Sequence, residues 1–173
     1  MIDASPELSI RFKDLFSPST NHWLDLFNNK KVRRHMPLAE VSVDADWINN
    51  WINHKVAASE NSPFKIHSIW LNGNFAGWAG IQVDNEDYEL AIVLSPNYWG
   101  AGKILFQKLI NEFEDSEVDK NLYIYLPLTR NTRQIAERFN LEEIGYFEPN
   151  NIGFTKLKIN VGGEGFEPPT SSV

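Results

Sequence analysis

From residue 8 to residue 13 apolar and polar side chains alternate, with Leu8, Ile10 and Phe12 on one side, which is the period of a strand that buries one face. Pro18, Ser19 and Thr20 supply helix-starting chemistry. Trp23, Leu24, Leu26 and Phe27 then form the apolar stripe of a short helix that ends near Asn28 and Asn29. A basic turn over 30–36 stops at Pro37. Trp47, Ile48, Trp51, Ile52, Lys55 and Val56 recur at three- and four-residue spacing, predicting a helix from Ser42 or Asp44 to Ala58, with Asp44 and Asp46 at the positive end of its dipole. After Pro63 the period shortens to two: Phe64, Ile66, Ser68 and Trp70 face one way, Ile69 and Leu71 the other. Asn72-Gly73 leads into a second such run over 75–83, the signature of a hairpin whose two central residues need positive φ. A third strand is predicted over 88–94, so three consecutive strands form an antiparallel meander.

The helical period returns in Ile104, Leu105, Leu109, Ile110 and Phe113. A buried strand over 122–126, a helix over 132–139 and closing strands over 143–147 and 154–159 follow. Strand, helix and strand in that order imply a crossover and a parallel pair. The architecture predicted is one α/β (α+β) mixed sheet, antiparallel strands followed by a parallel pair, with helices on both faces.

At 173 residues, 42% of them apolar, the chain has material for one packed core. The expectation is a single domain over 1–160 and a tail over 161–173, where VGGEGFEPPTSSV carries no helical or strand period. A net charge of −7 disfavours nucleic acid and anionic membranes as partners. The absence of cysteine removes a disulfide framework, a thiolate zinc site and a cysteine nucleophile. The opening residues have no basic-then-apolar leader and no apolar run approaches ~20 residues, so a soluble cytoplasmic protein is expected.

The chemistry concentrates in Ser95-Pro96-Asn97-Tyr98-Trp99-Gly100-Ala101-Gly102-Lys103, where a buried strand ends, two glycines alternate and an amphipathic helix begins. Glycines at 100 and 102 let a ligand approach the backbone and allow angles closed to other residues. The N–H groups of the first helical turn point outward together and favour an anion such as a pyrophosphate, with Lys103 adding a charge. The other reading is a tight strand-to-helix turn without a ligand. The segment lacks the Gly-x-x-x-x-Gly-Lys-Ser/Thr loop, and it follows antiparallel strands rather than opening a chain of βαβ units, which disfavours the dinucleotide fingerprint.

Asn97-Tyr98-Trp99-Gly100-Ala101-Gly102 resembles the coenzyme A loop of the GNAT superfamily, Gln/Arg-x-x-Gly-x-Gly/Ala. Glu89-Leu90-Ala91-Ile92-Val93-Leu94-Ser95-Pro96 is similar to that family's fourth strand. Val32-Arg33-Arg34-His35-Met36-Pro37, with the Trp47 helix, resembles the ribosomal-protein N-terminal acetyltransferase branch, as does Glu137-Arg138-Phe139-Asn140-Leu141-Glu142-Glu143-Ile144-Gly145-Tyr146-Phe147. The likeness spans 8–159. It implies a GNAT-like sheet in which the parallel pair splays, and acetyl-CoA as co-substrate without a metal. The acceptor it implies is a primary amine, either a protein amino terminus or a small molecule, reached without a covalent enzyme intermediate.

By the same resemblance the pantetheine arm lies along Ile92, Val93 and Leu94. The loop from Asn97 through Tyr98, Trp99, Gly100, Ala101 and Gly102 to Lys103 holds the pyrophosphate, and Asn131 joins the coenzyme-binding positions. A backbone N–H near Val93 or Leu94 would polarise the thioester carbonyl. Glu89 aligns with a glutamate frequent in the branch and is the candidate base, the alternative being a solvated strand residue beside an acidic loop. Some family positions are unmatched. Asn97 stands for the usual glutamine or arginine, able to cap the helix but uncharged, and Asn140-Leu141 stands for Gly-Phe at shorter spacing from Asn131. Phe139 or Arg138 falls near the place of the tyrosine that protonates the thiolate in many relatives, leaving Tyr98, Tyr146 or water for that role.

Lys30, Lys31, Arg33 and Arg34 either meet a phosphate or acidic substrate or form a solvated face. His22, His35, His54 and His67 lack the spacing of a helical metal site, and no metal is assigned. Trp47, Trp51, Trp70 and Trp78 either pack the core or wall a cleft. Two further functions stay open: a non-catalytic module of the same fold that binds acyl-CoA or a protein, and a nucleotide-phosphate binder. The state of assembly, monomer or homodimer, is left open too.

Overall fold

The computed structural model describes residues 7–38 and 40–162, apart from the side chain of Asn150. The predicted tail therefore lies outside the described residues from 163 on, while Val161 packs on the core.

Among the described residues one sheet of seven strands organises the fold. They are β1 (Ile10–Lys13), β2 (Ile66–Leu71), β3 (Asn74–Asp84), β4 (Asp87–Leu94), β5 (Leu122–Pro127), β6 (Leu141–Phe147) and β7 (Phe154–Ile159), in the spatial order β1-β2-β3-β4-β5-β7-β6. The meander β2-β3-β4 is antiparallel, and the Asn72-Gly73 turn takes positive φ at both residues, 50° and 81°. β4 and β5 are parallel, and they are paired only at Tyr88↔Leu122 and Glu89↔Tyr123, after which the two strands part.

Among the described residues five helices flank the sheet: α1 (Thr20–Asn28), α2 (Lys30–Arg33), α3 (Ala45–Ala58), α4 (Gly102–Asp115) and α5 (Thr132–Phe139). Their starts follow from local chemistry. The Ser19 side chain accepts from the His22 N–H and Asp44 accepts from the Trp47 N–H at 2.8 Å, each satisfying a donor that the first turn leaves open. On one face of the sheet Trp23, Phe27, Ile48 and Ile52 from α1 and α3 pack on Ile66, Trp78 and Ala91. On the other, Leu105, Phe106, Leu109, Ile110 and Phe113 of α4 pack on Ile69, Ile81, Leu90 and Leu94. Each large apolar side chain so buried stabilises the fold by roughly 1.5–3 kcal/mol.

The structure corrects three expectations from periodicity. Leu8 and Phe12 are exposed rather than buried, because β1 is the edge strand and pairs only with β2. Ile104 is also exposed: α4 starts at Gly102, and its inward stripe runs through 105, 106, 109, 110 and 113. The strand expected from 143 starts at Leu141, directly after Asn140 ends α5 in the left-handed conformation. Among the described residues no helix is long and apolar enough to cross a membrane.

Candidate active site

The parting of β4 from β5 produces a cleft of about 540 Å³. Its walls include β4 from Glu89 to Leu94, Ile124 to Pro127 on and beside β5, Phe106 of α4, and Val32, His35 and Met36 near α2. Where a parallel neighbour is missing, the β4 backbone groups on that side have no ladder partner. The direction of those groups follows from a single bond. Ser95 N–H donates to the Ala76 carbonyl of β3 at 2.8 Å, and alternation along the strand then turns the N–H and C=O of Leu94, and those of Ile92, toward the gap. Val93 points its carbonyl at β3, where a Cβ on Gly77 would lie 2.0 Å from that oxygen. Of the two N–H groups expected near the thioester, that of Leu94 faces the opening and that of Val93 does not. The Leu94 carbonyl accepts from the indole N–H of Trp99 at 2.9 Å.

The glycine segment adjoins this opening. A 3-10 helix over Pro96–Ala101 intervenes between β4 and α4, so the long helix does not begin at once as predicted. Neither Gly100 nor Gly102 has positive φ, which overturns the expectation that these glycines serve by special backbone angles. Their contribution is space: a Cβ at either would meet nothing within 4 Å. No side chain caps α4, and Asn97, expected to cap, is exposed within the 3-10 segment. Gly102 and Lys103 line the cleft, Tyr98 packs on the core, and Ala101 is buried. An open glycine surface beside unladdered β4 backbone fits the diphosphate and the amide-bearing arm of coenzyme A.

Glu89 lies where β4 and β5 are still paired, at the edge of the opening, on the face that carries α1 and α3. Its Oε2 accepts from the Gln82 side-chain amide at 2.9 Å, and Gln82 Oε1 accepts from Lys55 Nζ at 2.6 Å. Burial raises the Glu89 carboxyl above the ordinary carboxylate range, partly opposed by the Gln82 hydrogen bond and the Lys55 charge. Burial lowers the Lys55 ammonium, and Glu89 opposes that shift.

Nearby, the Tyr125 hydroxyl donates to Asp84 Oδ2 at 2.8 Å, and Lys156 Nζ lies 3.5 Å from the same oxygen. Burial raises the Tyr125 phenol, and the Asp84 hydrogen bond adds to the effect. The indole N–H of Trp78, whose side chain also lines the cleft, is buried with no hydrogen-bond partner among the described residues. At the mouth, His35 Nδ1 is 2.6 Å from Thr129 Oγ1, the Trp99 ring meets His35 edge-on, and the Arg130 guanidinium lies 5.4 Å from the Trp99 centroid. Burial and the charges of Arg130 and Arg34 lower His35.

The remaining sequence candidates lie elsewhere. Tyr98 is turned to the α4 side. Tyr146, 60% exposed on β6, donates to Glu148, because β6 is the far edge of the sheet. Neither lines the cleft, whereas Tyr125 does. Asn131 caps α5 through the Gln134 N–H at 3.1 Å and does not reach the cleft lining. Within the basic cluster Arg33 is turned inward, donating to the Phe27, Leu38 and Val41 carbonyls, while Lys30 and Lys31 border a small depression with Asn97. Trp47 and Trp51 pack with Trp23 and Phe27, leaving Trp78 as the wall of the cleft among the four tryptophans singled out. Among the described residues no group of three or more histidine, aspartate or glutamate side chains is disposed to hold a metal.

Periodicity gave no sign of the chain from Lys55 through Gln82 to Glu89, or of the neighbouring Asp84–Tyr125 pair. The available clue was parity: Gln82 is directly opposite Glu89 in the β3–β4 register, and Tyr125 shares the face of Tyr123, opposite Glu89 across the parallel pair.

A mixed sheet opened between one parallel pair, with a glycine turn at the opening and a half-buried carboxylate beside it, defines the acyl-CoA-dependent N-acyltransferase class. The model of the acetyltransferase (GNAT) family matches residues 20–146, and the chain belongs to that family. No curated protein sequence matches it. A GNAT-family acetyltransferase from Streptococcus pneumoniae has a similar structure, with 17% identity, 90% of this chain and 100% of that chain covered, and a TM-score of 0.64. The Salmonella typhimurium acetyl transferase that modifies the N-terminal serine of 50S ribosomal subunit protein L7/L12 is similar at 13% identity over 90% and 95% of the two chains, TM-score 0.68. RimL, a ribosomal L7/L12 alpha-N-protein acetyltransferase in complex with coenzyme A, is similar at 13% identity over 89% and 93%, TM-score 0.69. At these identities the likeness is one of fold.

Proposed function

We propose that this chain transfers an acetyl group from acetyl-CoA directly to a primary amine, the α-amino group of a polypeptide or a small amine. The observation that carries the reading is Glu89: a carboxylate held on one oxygen by Gln82, beside the gap where β4 loses its neighbour. In this reading Ile92 and Leu94 bond the pantetheine arm, and the segment from Asn97 to Lys103 receives the diphosphate over the open surfaces of Gly100 and Gly102. Bound acetyl-CoA supplies an activated acyl thioester. The Leu94 N–H stabilises the oxygen on which charge develops. Glu89, directly or through one water, removes the proton from the incoming ammonium. The amine nitrogen bonds to the carbonyl carbon and gives its second proton to water, the C–S bond breaks, and the thiolate leaves. Tyr125, the tyrosine that lines the cleft, takes over the role sought for Tyr98 and Tyr146 and returns a proton to the sulfur. An amino-terminal acceptor draws support from the Salmonella neighbour, which acts on an N-terminal serine.

The test is thiol release from acetyl-CoA across peptides, polyamines, aminoglycosides and amino acids. Release with at least one amine class, lowered about a hundredfold or more by Glu89→Gln, is the expected outcome. Calorimetric binding of coenzyme A without release on any amine would instead make the chain a binding module. A larger thermal shift with adenosine triphosphate than with acetyl-CoA would overturn the assignment of the loop.

A further inference from the structure

Lys55 is a half-buried cation on α3 that makes no ion pair among the described residues; its hydrogen bond goes to a neutral amide. An ammonium can only donate, so its contact with Gln82 Oε1 fixes which end of that amide faces inward. The NH₂ end is thereby turned to Glu89 Oε2. Such a donor is complementary to a carboxylate, which only accepts. Were the amide reversed, its oxygen would face Oε2, and only the protonated acid could satisfy the pair. We infer that Lys55 is a positioning residue that acts on Glu89 through Gln82, holding the amide donor-inward so that one carboxylate oxygen is pinned and the other is free to take a proton. The inference rests on the proposed reading of Glu89 as the base.

The geometry is reinforced at each step. Gln82 and Glu89 are directly opposite in the β3–β4 register, which sets their side chains on one face. Lys55 Nζ also lies 5.5 Å from the Trp78 ring centroid, and that ring packs on Trp51 of the same helix. Oε1 of Glu89 has no hydrogen-bond partner among the described residues. The charged groups that act on Glu89 come from three elements: Lys55 on α3, Asp84 on β3 and Lys156 on β7. Tyr125 of β5 lines the same cleft.

The deciding experiment follows the side-chain carboxyl carbon of Glu89 by NMR through a pH titration of the full unliganded chain, its resonance assigned by its loss in E89Q. In K55M and in Q82L the midpoint moves to higher pH, and K55R, which keeps charge and donor, returns it toward wild type. Thermal unfolding of each variant establishes that the fold is kept. An unmoved midpoint in a folded K55M overturns the inference. So does a midpoint that moves in K55M and not in Q82L, which would reduce Lys55 to a bare charge. The reading of Glu89 as base fails separately, through full turnover by E89Q, whatever the titration shows.

Discussion

The two faces of β4 divide the labour of this protein between neighbouring residues. Leu90 and Leu94 point at α4 and are closed against Leu105, Leu109 and Phe113, with Leu90 fully buried. Glu89, Ala91 and Val93, one step out of phase, face the side that carries α1 and α3, and all three line the cleft. The period of two lets a single strand hold the sheet together on one side while holding a carboxylate at a destabilising position on the other. Substitutions on the first face should therefore act on stability, and those on the second on turnover.

The strongest challenge to this division is at Leu90. Leu90→Ala leaves a cavity under α4, and chemical denaturation should show a loss of about 2–5 kcal/mol. A loss no larger than that of a surface substitution would mean that the packed face does not carry the fold.

Glu89→Gln should have the opposite character. Turnover should fall by about 10² or more. Because Glu89's folded pKa is raised, its stabilising contribution is full below the ordinary carboxylate range and is lost as pH rises through the raised value. Ionising the buried Glu89 is a net cost, so at a pH above its raised pKa the glutamine variant should melt at the wild-type temperature or above it. By the same shift, the acid limb of kcat/KM in the wild type should lie above the range of an exposed carboxylate. A variant that both melts lower and works at full rate would reverse the roles assigned to the two faces.

Smaller effects sharpen the boundary. Gly102→Val should weaken coenzyme A binding about tenfold, ~1.4 kcal/mol, at unchanged melting temperature, since nothing in the protein occupies the added side chain's space. Calorimetry checks the first half and thermal unfolding the second. Tyr125→Phe should lower kcat about tenfold, less than the loss at Glu89, because water can also protonate a thiolate. An unchanged kcat would remove Tyr125 as the proton donor. Ile144→Ala, on the exposed edge strand β6, should change stability by less than about 0.5 kcal/mol.

Most of the scaffold was legible because burial imposes a period. The Asn72-Gly73 hairpin, the meander, the crossover into a parallel pair and the Trp47–Val56 helix all follow from spacing and turn chemistry. The misjudged exposures have one cause: Leu8, Phe12 and Ile104 are apolar residues whose exposure depends on where the sheet ends and on where α4 begins. Of the residues that line the cleft, the sequence had singled out Glu89 on β4 and Trp99, Gly102 and Lys103 of the glycine segment. It did not find the Lys55–Gln82 chain, whose members are 27 residues apart, or the Asp84–Tyr125 pair, 41 apart.

The order of strands and helices, the inward faces of α3 and α4 for the most part, and the placing of a glycine turn after β4 were thus determined by local pattern and a few backbone constraints. Where β4 and β5 part, which tyrosine reaches the cleft, and which end of Gln82 meets Glu89 were decided by tertiary structure alone. Periodicity records only whether a side chain is buried. The pairing of polar groups inside the fold depends on register and on contacts between distant segments, and neither leaves a period in the chain.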